Sequence, residues 1–131
     1  VLVNPRVHVP TPQIFKALMQ KDNPALQPLP QDMGEAAGLT AWLGAQRNDL
    51  QPAAIAAAPL IADVLAAIAG TGAALARMSG SGATCFGLYP SAADAAHAAA
   101  QIIQSQPNWW VVACKINGSV DISPQAIRAT T

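Results

Sequence analysis

Arg77-Met78-Ser79-Gly80-Ser81-Gly82-Ala83-Thr84 sets two glycines and three hydroxyl side chains between two apolar, β-prone runs. Glycine permits positive φ and close backbone approach, so successive amides can turn into one concavity and hold an anion. The chemistry on offer is a phosphate cradle made of Ser79, Gly80, Ser81, Gly82 and Thr84. The plainer reading is a flexible connection between paired strands. A nucleotide-binding loop of the GxxxxGK[ST] type is excluded, because no lysine follows and the run enters a strand where that motif requires a helix. The dinucleotide-binding glycine fingerprint fails for the same reason. No histidine lies nearby in sequence to activate Ser79, Ser81 or Thr84 as a nucleophile. Phosphoryl transfer needs positioned cations and a carboxylate to orient the nucleophile. Here the seven acidic residues are scattered over linkers and helix ends, and Asp49 and Asp94 are explained as helix caps. No catalytic residue is assigned within the chain.

The 131 residues amount to one domain, 52% hydrophobic and 11% charged, which excludes a disordered tail or a polyelectrolyte arm. Seven Lys plus Arg balance seven Asp plus Glu, so no net field draws the chain to nucleic acid or anionic lipid. The most hydrophobic window, Ala53 to Ala69, is mostly alanine and carries Pro59 and Asp63, so it reads as a soluble helix and not a membrane span. Cys85 and Cys114 belong to no CxxC pair, which leaves no zinc site or redox motif and suggests reduced thiols in a cytoplasmic protein. The chain opens directly on strand-like Val1-Leu2-Val3, without an initiator methionine, and the front of a larger protein is expected to be missing.

The elements that must position the loop follow from periodicity. Val1, Val3, Val7 and Val9 alternate with polar positions as in a half-buried strand, with Pro5 ending its regular part near Asn4. His8 falls on the polar parity. Thr11-Pro12 starts a short helix to about Met19, the threonine hydroxyl serving as cap. Three prolines make Lys21 to Gln31 irregular, and Leu39, Trp42 and Leu43 mark a second short helix over Ala36 to Gln46. Asn48-Asp49 offers a cap for the longest helix, whose core face carries Leu50, Ala54, Ala57, Ile61, Val64 and Ile68. Pro59 predicts a kink or two abutting helices, and Gly70 and Gly72 end the run. Ala73 to Met78 and Ala83 to Tyr89 read as antiparallel strands. Ser91 caps a helix whose core face is assigned to Ala92, Ala95, Ala96, Ala99, Ile102 and Ile103, with His97 on the polar side. Trp109 to Ile116 is a last strand and residues 117–131 are a tail outside the domain, which occupies residues 1–116. The order strand, helices, strand, strand, helix, strand is that of an α+β, ferredoxin-like split β-α-β sandwich. It has a four-stranded antiparallel sheet, helices on one face and extra helices in the first crossover.

Met78 to Gly87 resembles the third motif of the superfamily of galactokinase, homoserine kinase, mevalonate kinase and phosphomevalonate kinase. Asn4-Pro5 with Thr11-Pro12-Gln13-Ile14-Phe15-Lys16, and Asn48-Asp49-Leu50, narrow the resemblance to the C-terminal half of the 4-diphosphocytidyl-2-C-methyl-D-erythritol kinase family. The resemblance covers about Val1 to Ile116. It implies transfer of the γ-phosphoryl group of ATP, with Mg2+, to the 2-hydroxyl of a cytidyl small-molecule substrate in non-mevalonate isoprenoid synthesis. It also implies that the catalytic lysine and aspartate, the main ATP loop and the metal belong to an N-terminal kinase domain, so that this chain alone holds no cofactor and is inactive. Ser79 to Gly82 would approach the phosphates, and Phe15, beside Thr11, would stack on the cytosine. Read without the resemblance, Phe15 is a core residue with Ile14 and Leu18.

Two other classes compete. A stand-alone ferredoxin-like ligand-binding or regulatory module fits the composition, though an RNA-binding one would show aromatics in Val1 to Val9 and a basic surface. Another kinase of the superfamily, of homoserine or mevalonate type, shares the glycine motif. Trp109 and Trp110, adjacent on a strand, must face opposite sides, one under the helices and one on the outer sheet face. An apolar outer face or edge predicts a homodimer of the isolated chain.

Overall fold

Valine at positions 1 and 3 pairs the chain's start into the middle of a sheet. The computed structural model describes residues 1–31 and 36–116, and in it β1 (Leu2–Asn4) lies between β3 (Cys85–Leu88) and β4 (Trp110–Val112), with β2 (Leu75–Met78) on the far edge. Every pair is antiparallel, in the order β2-β3-β1-β4. β1 stops before Pro5, where Asn4 Oδ1 accepts from the amide of Arg6 at 2.7 Å and closes a tight turn. The crossover from β1 to β2 carries α1 (Thr11–Lys16), α2 (Ala36–Gly44), α3 (Gln51–Ala57) and α4 (Leu60–Gly70). That from β3 to β4 carries α5 (Ala92–Ser105). This is the expected ferredoxin-like α+β order.

Register decides the two faces. Val3 pairs with Cys85 and Val111, and Cys85 with Met78, so these four share one side of the pleat and all are buried. Above them pack Ile61, Val64 and Ile68 of α4 and Ala95, Ala98, Ala99 and Ile102 of α5. Gly87 lets α4 come close, since a Cβ there would lie 2.5 Å from Ile68 Cγ2. The other side presents Leu2, Arg77, Phe86 and Val112, all partly exposed. Trp109 is buried on the core side, and Trp110, opposite Asn4, is 37% exposed on the outer side, as adjacent strand residues must divide.

Several local expectations are corrected. Pro10 is the N-cap of α1 and Thr11 its first residue; the Thr11 hydroxyl makes no cap bond and α1 ends at Lys16. α2 ends at Gly44, and β2, β3 and β4 are shorter than their apolar runs because pairing stops where the partner strand stops. As Pro59 predicts, the long helix is two abutting helices, bent by 120°, with Pro59 exposed at the break as the N-cap of α4. That bend rotates Ala57 into solvent while Ala54 stays buried. Leu50, not Asn48 or Asp49, is the N-cap of α3. In α5 Ser91 accepts from the amide of Asp94 at 3.1 Å as expected. Its buried stripe runs through Ala98, however, and leaves Ala92, Ala96 and Ile103 exposed. A helix that is half alanine gives weak guidance on its inner face. Among the described residues no single helix is long and apolar enough to cross a membrane. The tail at 117–131 lies outside the described residues.

Candidate functional site

The residues Ser79 to Gly82 join β2 to β3 in a tight turn. The Ser79 amide donates to Thr84 O at 2.8 Å and the Gly82 amide to Ser79 O at 3.1 Å, so two of the four loop amides are satisfied within the hairpin. The amides of Gly80 and Ser81 have no hydrogen-bond partner among the described residues, and Gly80 is exposed. Gly80 and Gly82 hold φ of 55° and 89°, the left-handed region that glycine adopts without cost. A Cβ on Gly82 would in addition lie 2.9 Å from Met78 Sδ. The cradle therefore keeps two amides without a partner among the described residues, where the sequence suggested successive amides turned into one concavity.

Side chains from three elements fix this turn from outside. Asn4 Nδ2 donates to Thr84 Oγ1 at 2.9 Å, and the hydroxyls of Thr11 and Ser81 are 2.8 Å apart. Asn48 Nδ2 donates to Met78 O and to Gly80 O, both at 2.8 Å, while Gln51 Oε1 accepts from the Met78 amide at 3.0 Å. The loop is thus tied to β1, to the start of α1 and to the entry of α3.

Beside it opens a cleft of about 570 Å3 whose lining includes Phe15, Trp42, Phe86, Arg77, Ser79 and Gly80. α1 explains how an aromatic comes to stand there. Ile14 is 1% exposed and anchors the six-residue helix in the core, and its neighbour Phe15, about 100° round the axis, is left 52% exposed. Phe15 is therefore not the core residue that its apolar neighbours suggest. Arg77 projects from the outer face of β2 and donates from Nη1 to Leu43 O at 2.6 Å, which holds the end of α2 over that face. Trp42 donates to Pro28 O at 3.0 Å and packs α2 against the irregular segment. Asp49 is paired with Arg47 at 2.8 Å, and that hydrogen bond together with the nearby carboxylate charge raises the already high pKa of Arg47. Asp49 is thereby committed to an exposed ion pair. Among the described residues no group of three His, Cys, Asp or Glu is placed to hold a metal ion. Burial pushes the Cys85 thiol up to about 11, which makes it a packing group and no nucleophile.

Of the residues singled out in the sequence, Phe15, Ser79 and Gly80 line the cleft, and Thr11 and Ser81 meet through their hydroxyls. Gly82 instead faces Met78 and Ile61, and Thr84 is held by Asn4. Asn48, Gln51, Arg77 and Phe86 were not anticipated as site residues. Strand parity could have found Arg77 and Phe86, whereas the reach of Asn48 across 30 and 32 residues leaves no local signal.

A split β-α-β sheet with a glycine turn joining β2 to β3 defines the class. The chain belongs to the family of GHMP kinase C-terminal domains, whose model, described as "GHMP kinases C terminal", matches residues 15–108. Among curated proteins it is similar to the 4-diphosphocytidyl-2-C-methyl-D-erythritol kinases of three bacteria. For Paracoccus denitrificans the identity is 54% over 114 residues, covering 86% of this chain and 41% of the relative. For Dinoroseobacter shibae it is 55% over 115 residues, covering 85% and 39%. For Cereibacter sphaeroides (strain ATCC 17029 / ATH 2.4.9) it is 53% over 123 residues, covering 90% and 43%. The chain thus spans about two-fifths of the length of the curated relatives it matches.

Proposed function

We propose that this chain is the C-terminal part of an ATP-dependent kinase that phosphorylates the 2-hydroxyl of 4-diphosphocytidyl-2-C-methyl-D-erythritol. The observation that carries the reading is that the exposed ring of Phe15 and the exposed glycine-turn residues Ser79 and Gly80 border one cleft. They stand in a chain about half identical to kinases of that name. Phe15 stacks on the cytosine and holds the substrate by its base. The amides of Gly80 and Ser81, with the Ser79 hydroxyl, meet phosphate oxygens, which a positive φ at Gly80 allows without a side chain in the way. In the reaction the bond from the γ-phosphorus to its bridging oxygen breaks, and the 2-hydroxyl oxygen takes the phosphoryl group as it loses its proton. The base for that proton, the principal ATP loop and the Mg2+ that neutralises the phosphates come from an N-terminal domain of the kind the relatives' greater length accommodates. Among the described residues lining the cleft Asp49 is the one carboxylate, and it is paired with Arg47. Its part is positioning, and the site is cytoplasmic because both substrates are phosphorylated metabolites.

The test is a chimera in which this chain replaces the matching C-terminal part of the Paracoccus denitrificans relative. Radiolabelled γ-phosphate should pass from ATP to the substrate in the chimera and not in the 131-residue chain alone. A folded chimera without transfer, or tight ATP binding by the chain alone, would favour an autonomous ligand-binding module.

A further inference from the structure

Met78 sits at the end of β2, an edge strand, and its pairing with Cys85 leaves its own amide and carbonyl directed off the sheet. Both are taken by side chains from the entry of α3, the amide by Gln51 Oε1 at 3.0 Å and the carbonyl by Asn48 Nδ2 at 2.8 Å. The same Nδ2 reaches Gly80 O at 2.8 Å. The opposite end of the carboxamide, Oδ1, accepts from the Leu50 amide at 3.1 Å and closes a turn ahead of the helix. One side chain therefore links a local turn to two carbonyls that flank Ser79.

The planarity of the peptide gives this link a consequence. In a trans unit the carbonyl and the following amide point in opposite directions. Holding Gly80 O thus aims the Ser81 amide away from Asn48, and the Ser79 carbonyl, held by the Gly82 amide, fixes the plane of the Gly80 amide in the same way. These are the two loop amides without a partner among the described residues. Glycine at 80 would otherwise let the plane rotate, since nothing lies within 4 Å of its missing Cβ.

The structure assigns Asn48 as the positioning residue of the glycine turn, a brace that sets the direction of the Ser81 amide toward its anion. The assignment rests on the reading of that turn as a phosphate contact. Only a carboxamide can serve both ends. Aspartate has the same shape and keeps the acceptor for Leu50, but it turns an oxygen toward two carbonyls. Serine keeps an acceptor and is too short to reach them.

The test uses the 131-residue chain, labelled with 15N, as wild type and as Asn48→Asp. Backbone order parameters of Gly80 and Ser81 should fall from about 0.85 to below about 0.6 in the variant, with those of α3 unchanged. Inorganic pyrophosphate should shift these two amides in the wild type, with an apparent Kd about tenfold higher in the variant, as expected for losing a pair of hydrogen bonds of ordinary strength. A turn as rigid in Asn48→Asp as in the wild type overturns the brace, whatever pyrophosphate does. A wild type whose turn ignores pyrophosphate overturns the phosphate reading, while the order parameters still decide the role of Asn48. Should the aspartate variant fail to fold, Asn48→Ser carries the same comparison.

Discussion

Ile14 and Phe15 are neighbours in one six-residue helix, and the structure gives their removal opposite consequences. Ile14 is 1% exposed, so Ile14→Ala opens a cavity under α1 and should cost about 3 kcal/mol, within the range for buried aliphatic truncations. Phe15 is 52% exposed, and burying a whole phenylalanine contributes about 1.5 to 3 kcal/mol, so Phe15→Ala should cost only about 1 kcal/mol. The order reverses for binding. Stacking of a base on an aromatic contributes about 1 to 3 kcal/mol, so the KM for the cytidyl substrate should rise about 5- to 150-fold in a Phe15→Ala chimera. Ile14→Ala, where it remains folded, should leave KM within a few fold. Urea unfolding of the chain followed by tryptophan fluorescence gives the stabilities, and initial rates of the chimera give KM. Equal destabilisation by the two changes, or a KM indifferent to Phe15, would refute the assignment of one neighbour to the core and the other to the substrate.

Other consequences are simpler. Gly87→Ala should lose about 1 to 3 kcal/mol in urea unfolding, because its Cβ would meet Ile68 at 2.5 Å and the Tyr89 ring at 3.0 Å. Gly70→Ala, with nothing within 4 Å and no positive φ, should gain about 0.5 kcal/mol. A thiol reagent should label Cys114 in the native chain and Cys85 only on unfolding. Since the native state holds the Cys85 proton more tightly than its ordinary 9.0 would allow, its contribution to stability is complete below about 9 and is lost as pH rises through about 11. Urea midpoints should therefore fall over that window, and those of Cys85→Ala should not. The partly exposed apolar face around Leu2, Phe86, Val112 and Trp110 predicts a concentration-dependent dimer in sedimentation equilibrium. Trp110→Glu should abolish it.

The fold was legible where polar and apolar residues alternate with a clear period. Strand parity at Val1 and Val3, proline at 5 and 59, and Ser91 before Asp94 each marked an element or its end correctly. The inner face of α5 is poorly legible because seven of its fourteen residues are alanine, so periodicity carries little contrast and packing into the shared core sets which alanines are buried. Caps at Thr11 and Asn48 were misread for a different reason. Both residues are good local hydrogen-bonders, and both spend that capacity on the glycine turn some 70 and 30 residues away. The glycine turn itself was plain in the sequence. What the sequence did not display was its bracing, which exists only once β2 lies beside the start of α3.

The most direct test of the account is a titration of the 15N,13C-labelled chain with cytidine 5′-diphosphate. The account predicts nuclear Overhauser contacts between the cytosine protons and the Phe15 ring, with shifts of the Gly80 and Ser81 amides that saturate at the same Kd. Shifts at the turn without base contacts to Phe15, or contacts elsewhere on the sheet with the turn silent, would contradict the proposal that one cleft grips both ends of the substrate.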